Sequence, residues 1–92
     1  MKITPEETEL RGDFVLNNKK IEFDEVNKRI KELISDYLVR IAIYKDGWDS
    51  LYQDPEDKRF WELIFWRSEM QGGGPMLLHV LSEEEARQKY QF

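Results

Sequence analysis

The sequence has no cysteine, one histidine, three prolines and no apolar run longer than four residues. Each scarcity excludes something. Without cysteine there is neither a disulfide framework nor a thiolate zinc site, and a small domain without such staples is expected in a reducing cytosol. No run is long enough to cross a membrane, and residues 1–7 hold no apolar stretch of signal-peptide length. A single histidine offers little for metal or acid–base chemistry. The acids at 54–57 lack the D-x-D-x-D-G spacing of a calcium loop. Basic residues are the minority, 14 against 19 acidic, and the net charge of −5 argues against direct nucleic-acid binding. No cofactor, metal site or catalytic residue is expected, and one carboxylate pair among 19 acids cannot be singled out for hydrolysis.

What is present points to a folded binding module. A chain of 92 residues is one domain, and folding at this size buries about 60–65 % of the unfolded chain's surface. Aromatic residues make up 13 % of the chain, too many for a disordered segment. The charged fraction of 36 % exceeds the usual ~25 % and indicates a well-solvated surface.

Residues 1–9 carry Glu6, Glu7 and Glu9 with little to bury and read as a loosely held arm. From Gly12 to Phe23 the pattern is a β-hairpin. Turning at Asn18-Lys19 sets Leu16 opposite Ile21 and Phe14 opposite Phe23, so four apolar side chains share one face. Asp24 is an N-cap for an amphipathic helix over 24–38, whose stripe is Val26, Ile30, Leu33, Ile34, Tyr37 and Leu38. Val39, Ile41 and Ile43 then alternate as a strand. Two more strands, 48–53 and 59–67, flank Asp54-Pro55-Glu56-Asp57-Lys58. Pairing Tyr52 with Phe60 sets Leu51 opposite Trp61, Ser50 opposite Glu62 and Trp48 opposite Ile64. The run 76–81 is a buried strand interrupted by His79, expected to be a satisfied structural histidine. Ser82 and Glu85 form a capping box for a short C-terminal helix. The expected fold is α+β: a mostly antiparallel sheet of about five strands on one main helix, with the short helix alongside.

The most informative segment runs from Asp46 to Asp57. It holds Asp46, Asp49, Asp54, Glu56 and Asp57 without a basic residue, and interleaves Trp48, Leu51 and Tyr52. On the register above, Trp48, Tyr52, Phe60, Ile64 and Trp66 share one sheet face. One main helix covers only one face, so these rings would stand open beside dense negative charge. Such a surface suits a basic protein partner, with aromatic anchors and acids that steer encounter. The alternative is that the terminal helix or the N-terminal arm covers that face and the acids are ordinary solvated loops. Gly72-Gly73-Gly74, before Pro75, either lets the backbone turn sharply or forms the rim of an interface.

The order Gly47-Trp48-Asp49-Ser50-Leu51-Tyr52-Gln53-Asp54-Pro55, then Trp61-Glu62-Leu63, then Glu69-Met70-Gln71-Gly72-Gly73-Gly74-Pro75 resembles the immunity-protein-27 family of small bacterial proteins. Those are encoded beside polymorphic or contact-dependent toxins. Glu9-Leu10-Arg11-Gly12-Asp13-Phe14-Val15 also fits their start. Ile64-Phe65-Trp66 and Met76 depart from the pattern, which leaves room for a partner-specific surface. The resemblance implies a cytosolic, non-enzymatic antidote that occludes a cognate toxin C-terminal domain, for which a basic nuclease fits the charge. It brings no established site. The expected toxin contacts rest on the residues: Asp46, Trp48, Asp49, Tyr52, Asp54, Glu56, Asp57, Phe60, Trp66 and Glu69. The competing reading is an acidic nucleic-acid mimic that binds many basic proteins.

Overall fold

Asp24 starts the main helix as its spacing predicts, its carboxylate accepting the Asn27 N–H at 2.8 Å. The structure, a computed structural model, describes residues 3–45, 47–65 and 75–92. Along the chain run β1 (Glu9–Arg11), β2 (Phe14–Asn17), β3 (Lys20–Phe23), α1 (Glu25–Asp36), β4 (Val39–Ile43), β5 (Ser50–Gln53), β6 (Phe60–Phe65), β7 (Met76–Leu81) and α2 (Glu83–Tyr90). The fold is α+β, with one five-stranded antiparallel sheet in the order β1-β7-β6-β5-β4. α1 ends at Asp36, short of the expected Leu38. The N–H groups of Tyr37 and Leu38 both return to the Leu33 carbonyl, at 3.1 and 2.7 Å, and this tightened last turn releases the chain into β4.

The hairpin has the register read from its turn, Leu16 on Ile21 and Phe14 on Phe23, with positive φ at Asn18 and Lys19. It stands apart as a two-stranded sheet. The fifth strand of the main sheet is β1, in a region expected to begin with a loose arm. The described part of that arm, residues 3–9, is tied down. Ile3 is buried, Glu7 pairs with Arg29 at 2.9 Å, and Arg59 donates to the carbonyls of Glu7 and Thr4 at 2.7 and 3.0 Å.

The β5–β6 register corrects the expected one by a single residue: Tyr52 lies opposite Trp61, Leu51 opposite Glu62 and Gln53 opposite Phe60. Asp54 causes the slip. Its N–H bonds the Arg59 carbonyl at 3.0 Å, its carbonyl accepts from Lys58 at 3.0 Å, and its side chain accepts the Glu56 N–H at 2.8 Å. Asp54 and Arg59 are therefore joined just beyond the paired ladder, and only residues 55–58 lie between them. A one-residue slip exchanges the faces of one strand. Tyr52 joins Trp61, Leu63, Leu78, Met76 and Leu10 under the helix residues Ile30 and Leu33. Leu51 and Phe60 face the other way and pack on Ala86 of α2, with Leu81 and Tyr90 around them. Of the rings expected to stand open together, Tyr52 is packed under α1 and Phe60 against α2, on opposite faces of the sheet.

A polar stitch holds the first face. Asn27 occupies a fully buried position on the apolar stripe of α1, and its Oδ1 accepts the Met76 N–H at 2.7 Å. Gly12 passes close by, its N–H donating to the Met76 carbonyl at 2.8 Å. A Cβ on Gly12 would lie 2.4 Å from Asn27 Oδ1 and 2.9 Å from the Asn27 Cα. Gly12→Ala must push the helix backbone away, and is expected to lower stability by about 1–3 kcal/mol. Denaturant unfolding checks this; an unchanged midpoint would contradict the close approach.

Candidate functional site

The turn between β4 and β5 presents an aromatic ring that is more than half exposed. The Tyr44 N–H bonds the Asp49 carbonyl at 2.8 Å, and Gly47 donates to the Tyr44 carbonyl at 2.9 Å with φ +79°, a conformation that disfavours any side chain. Trp48 follows, 58 % exposed, its ring edge-on to Phe65 at 5.7 Å. Ile43, half exposed, pairs with Ser50, which in turn lies opposite Leu63. Ile43, Trp48 and Phe65 thus share the face that α1 covers. α1 lies chiefly across β1 and β7 and leaves this end of the sheet open.

Behind the turn, on the opposite face, sits a buried charge. Glu62 is the one ionisable residue in β6 and is 5 % exposed. One carboxylate oxygen meets His79 Nε2 at 2.7 Å; the other accepts from Tyr90 Oη at 2.9 Å and from Lys89 Nζ at 2.5 Å. Lys89 also reaches Asp49 at 2.9 Å and lies 4.9 Å over the Tyr44 ring. Burial alone would push the Glu62 carboxyl up, but the bonds from His79, Lys89 and Tyr90 outweigh it and hold it at about 2. The hydrogen bond to Glu62 raises His79, with burial opposing. For Lys89 burial acts downward, and its contacts with Glu62 and Asp49 prevail and raise it. His79 is the satisfied structural histidine expected of it.

At the far end of β5 the acids serve the fold. Asp54 is 1 % exposed, and Tyr37 donates its hydroxyl to it at 2.6 Å, with a Glu56 oxygen 3.4 Å away. Burial first, then these carboxylates, raise the Tyr37 phenol. Asp57 takes the Arg59 guanidinium at 2.7 Å and the Arg59 N–H at 2.9 Å, and these bonds outweigh burial to lower its carboxyl.

The seven expected contact residues that the structure describes are thus dispersed. Trp48 and Glu56 are exposed, Asp49 is half-buried on Lys89, and Asp57 is held by Arg59. Tyr52, Asp54 and Phe60 are buried. Asp46, Trp66 and Glu69 lie outside the described residues. Trp48 and the 54–57 acids stand at opposite ends of β5, about 20 Å apart at ~3.3 Å per residue. Among the described residues no group of three or more His, Asp or Glu is placed to hold a metal, and no helix is long and apolar enough to cross a membrane. The network of Glu62, Lys89 and Tyr90 was missed in the sequence. Its signal was there: Glu62 is the single charge within six otherwise apolar residues, and His79 the single polar residue of the strand beside it.

The family model that matches the chain is described as Immunity protein 27 and covers residues 16–82, more than half of it. No curated protein and no solved structure matches. The matched span includes Glu62, His79 and the Trp48 turn, and stops before Lys89 and Tyr90.

Glu62→Gln strips the charge that Lys89 and His79 compensate and is expected to cost about 2–3 kcal/mol near neutral pH. Because the Glu62 carboxyl is held below its ordinary 4.5, its contribution is complete above that pH and is lost as pH falls toward 2. Because His79 is raised above 6.5, its contribution is complete below that pH and is lost as pH rises through the folded-state value. Thermal melting across pH should show both flanks in the parent and a flatter profile in Glu62→Gln. Identical profiles would contradict the network.

Proposed function

The chain belongs to the immunity protein 27 family, and from that premise we propose that it is a binding module that neutralises a cognate toxin domain. It does so by sitting over the toxin's active or otherwise essential surface, in the cytosol and without catalysis of its own. The observation that carries a binding role is Trp48, an indole held out at the end of a sheet whose other described rings are largely packed away. Exposed tryptophan on a structured turn is a rigid, large-area anchor of the kind that dominates protein interfaces. Ile43 and Phe65 widen the apolar patch; Asp46, Trp66 and Glu69, near it in sequence and outside the described residues, are proposed as further toxin contacts. Tyr52, Asp54 and Phe60 are buried and serve the fold rather than that surface. Glu56 and Asp57, at the far turn, act through the overall field.

The net charge of −5 favours a basic toxin, a nuclease being the natural case, because opposite net charges accelerate encounter. The nucleic-acid-mimic reading is less well supported. A mimic needs a row of free carboxylates, whereas Asp54 is buried, Asp57 holds Arg59 and Asp49 holds Lys89.

Co-expression with the toxin domain encoded beside this gene should restore growth and yield a complex that copurifies. Failure of both rescue and copurification would overturn the reading. Within the complex, Trp48→Ala is expected to weaken binding by about 2–4 kcal/mol, a loss of roughly 30- to 1,000-fold, with little change in melting temperature. Unchanged affinity in calorimetry would move the interface away from this turn.

A further inference from the structure

An exposed indole anchors a partner well only if its direction is set beforehand, since ordering it on binding subtracts from affinity. The turn carrying Trp48 is short, and two of its side chains grip one ammonium. At its start, the Tyr44 ring lies 4.9 Å beneath Lys89 Nζ; at its end, Asp49, the neighbour of Trp48, takes the same Nζ at 2.9 Å. Lys89 is itself fixed by Glu62, whose side chain is 6 % exposed and also bound by Tyr90 and His79. Tyr44 and Tyr90 pack edge to face at 6.0 Å and close the arrangement. The ammonium therefore ties the turn to the interior of the sheet rather than to another loop.

We propose that Lys89, anchored on Glu62, sets the direction of Trp48 through Asp49, so that Asp49 and Lys89 are positioning residues for toxin capture. This assignment rests on the toxin-binding reading, and it changes the part expected of Asp49. A carboxylate that steers a basic partner acts on the association rate and loses its effect in salt. A carboxylate that holds an anchor ready acts on dissociation. The partly buried Lys89–Asp49 pair, with side chains 33 % and 21 % exposed, suits the second role.

The test uses the full chain labelled with 5-fluorotryptophan, with Asp49→Ala as the variant, because it leaves the buried Glu62–Lys89 pair intact. Fluorine NMR of the free protein should show the Trp48 resonance shifted or broadened, with that of the fully buried Trp61 unchanged. Binding kinetics with the adjacent toxin domain should show dissociation about five-fold faster and association within about two-fold of the parent. Lys89→Arg, which keeps the cation, should restore most of what Lys89→Met loses. An unaltered Trp48 resonance would overturn the positioning role, as would slowed association with unchanged dissociation. If the parent chain forms no complex, the toxin-binding reading falls, while the fluorine spectra still decide whether Asp49 orders the turn.

Discussion

A carboxylate with almost no access to water governs how this chain is put together. Glu62 faces the side of the sheet that a single long helix would leave bare, and it is tolerable there only because α2 brings Lys89 and Tyr90 down onto it while His79 closes from the next strand. α2 is short, and Ala86 is its one fully buried side chain, so apolar burial alone ties it down poorly. What the charge adds is alignment. Sliding α2 by one turn would strip Glu62 of two partners, a penalty of several kcal/mol for a buried ion. The second face is sealed as a result, over Leu51 and Phe60.

The opposite face has its own polar constraint, of a different kind. Asn27 spends a fully buried helix position on one backbone hydrogen bond to Met76, and Gly12 must lack a side chain to let the strand edge and the helix come together. These two devices bracket the sheet. Together they leave open one end, where β4 turns into β5 and β6 ends at Phe65, and there Trp48 and Ile43 remain accessible. The functional proposal follows from that remainder: not rings that failed to pack, but one ring presented on a glycine-closed turn and steadied from behind.

Much of the fold was legible in the residues because the signals were local. The Asn18-Lys19 turn dictated the hairpin register, Asp24 and the three-and-four spacing dictated α1, and Ser82 with Glu85 marked α2. Two things were not legible, one because side chain and main chain act together in a turn and one because the partners lie far apart in sequence. The β5–β6 register turned on Asp54, whose side chain and main chain act together in the turn; counting apolar positions could not reveal that. The partners of Glu62 come from β7 and α2, and a lone acid in an apolar strand says that a partner is needed without saying which. That one residue also misdirected the reading of function, because the helix it secures covers the very face on which an aromatic patch was expected. The acids of the 46–57 segment suffered likewise: in the sequence they are five uncompensated charges, and in the fold at least three of them bind a cation or cap a turn.

The central claim is that the end of the sheet bearing Trp48 meets the toxin. Amide hydrogen exchange of the free chain and of the chain in complex with the adjacent toxin domain tests it most directly. The account requires added protection across residues 43–50, with the 54–59 turn exchanging as before. Protection confined to 54–59, with 43–50 unchanged, would contradict it.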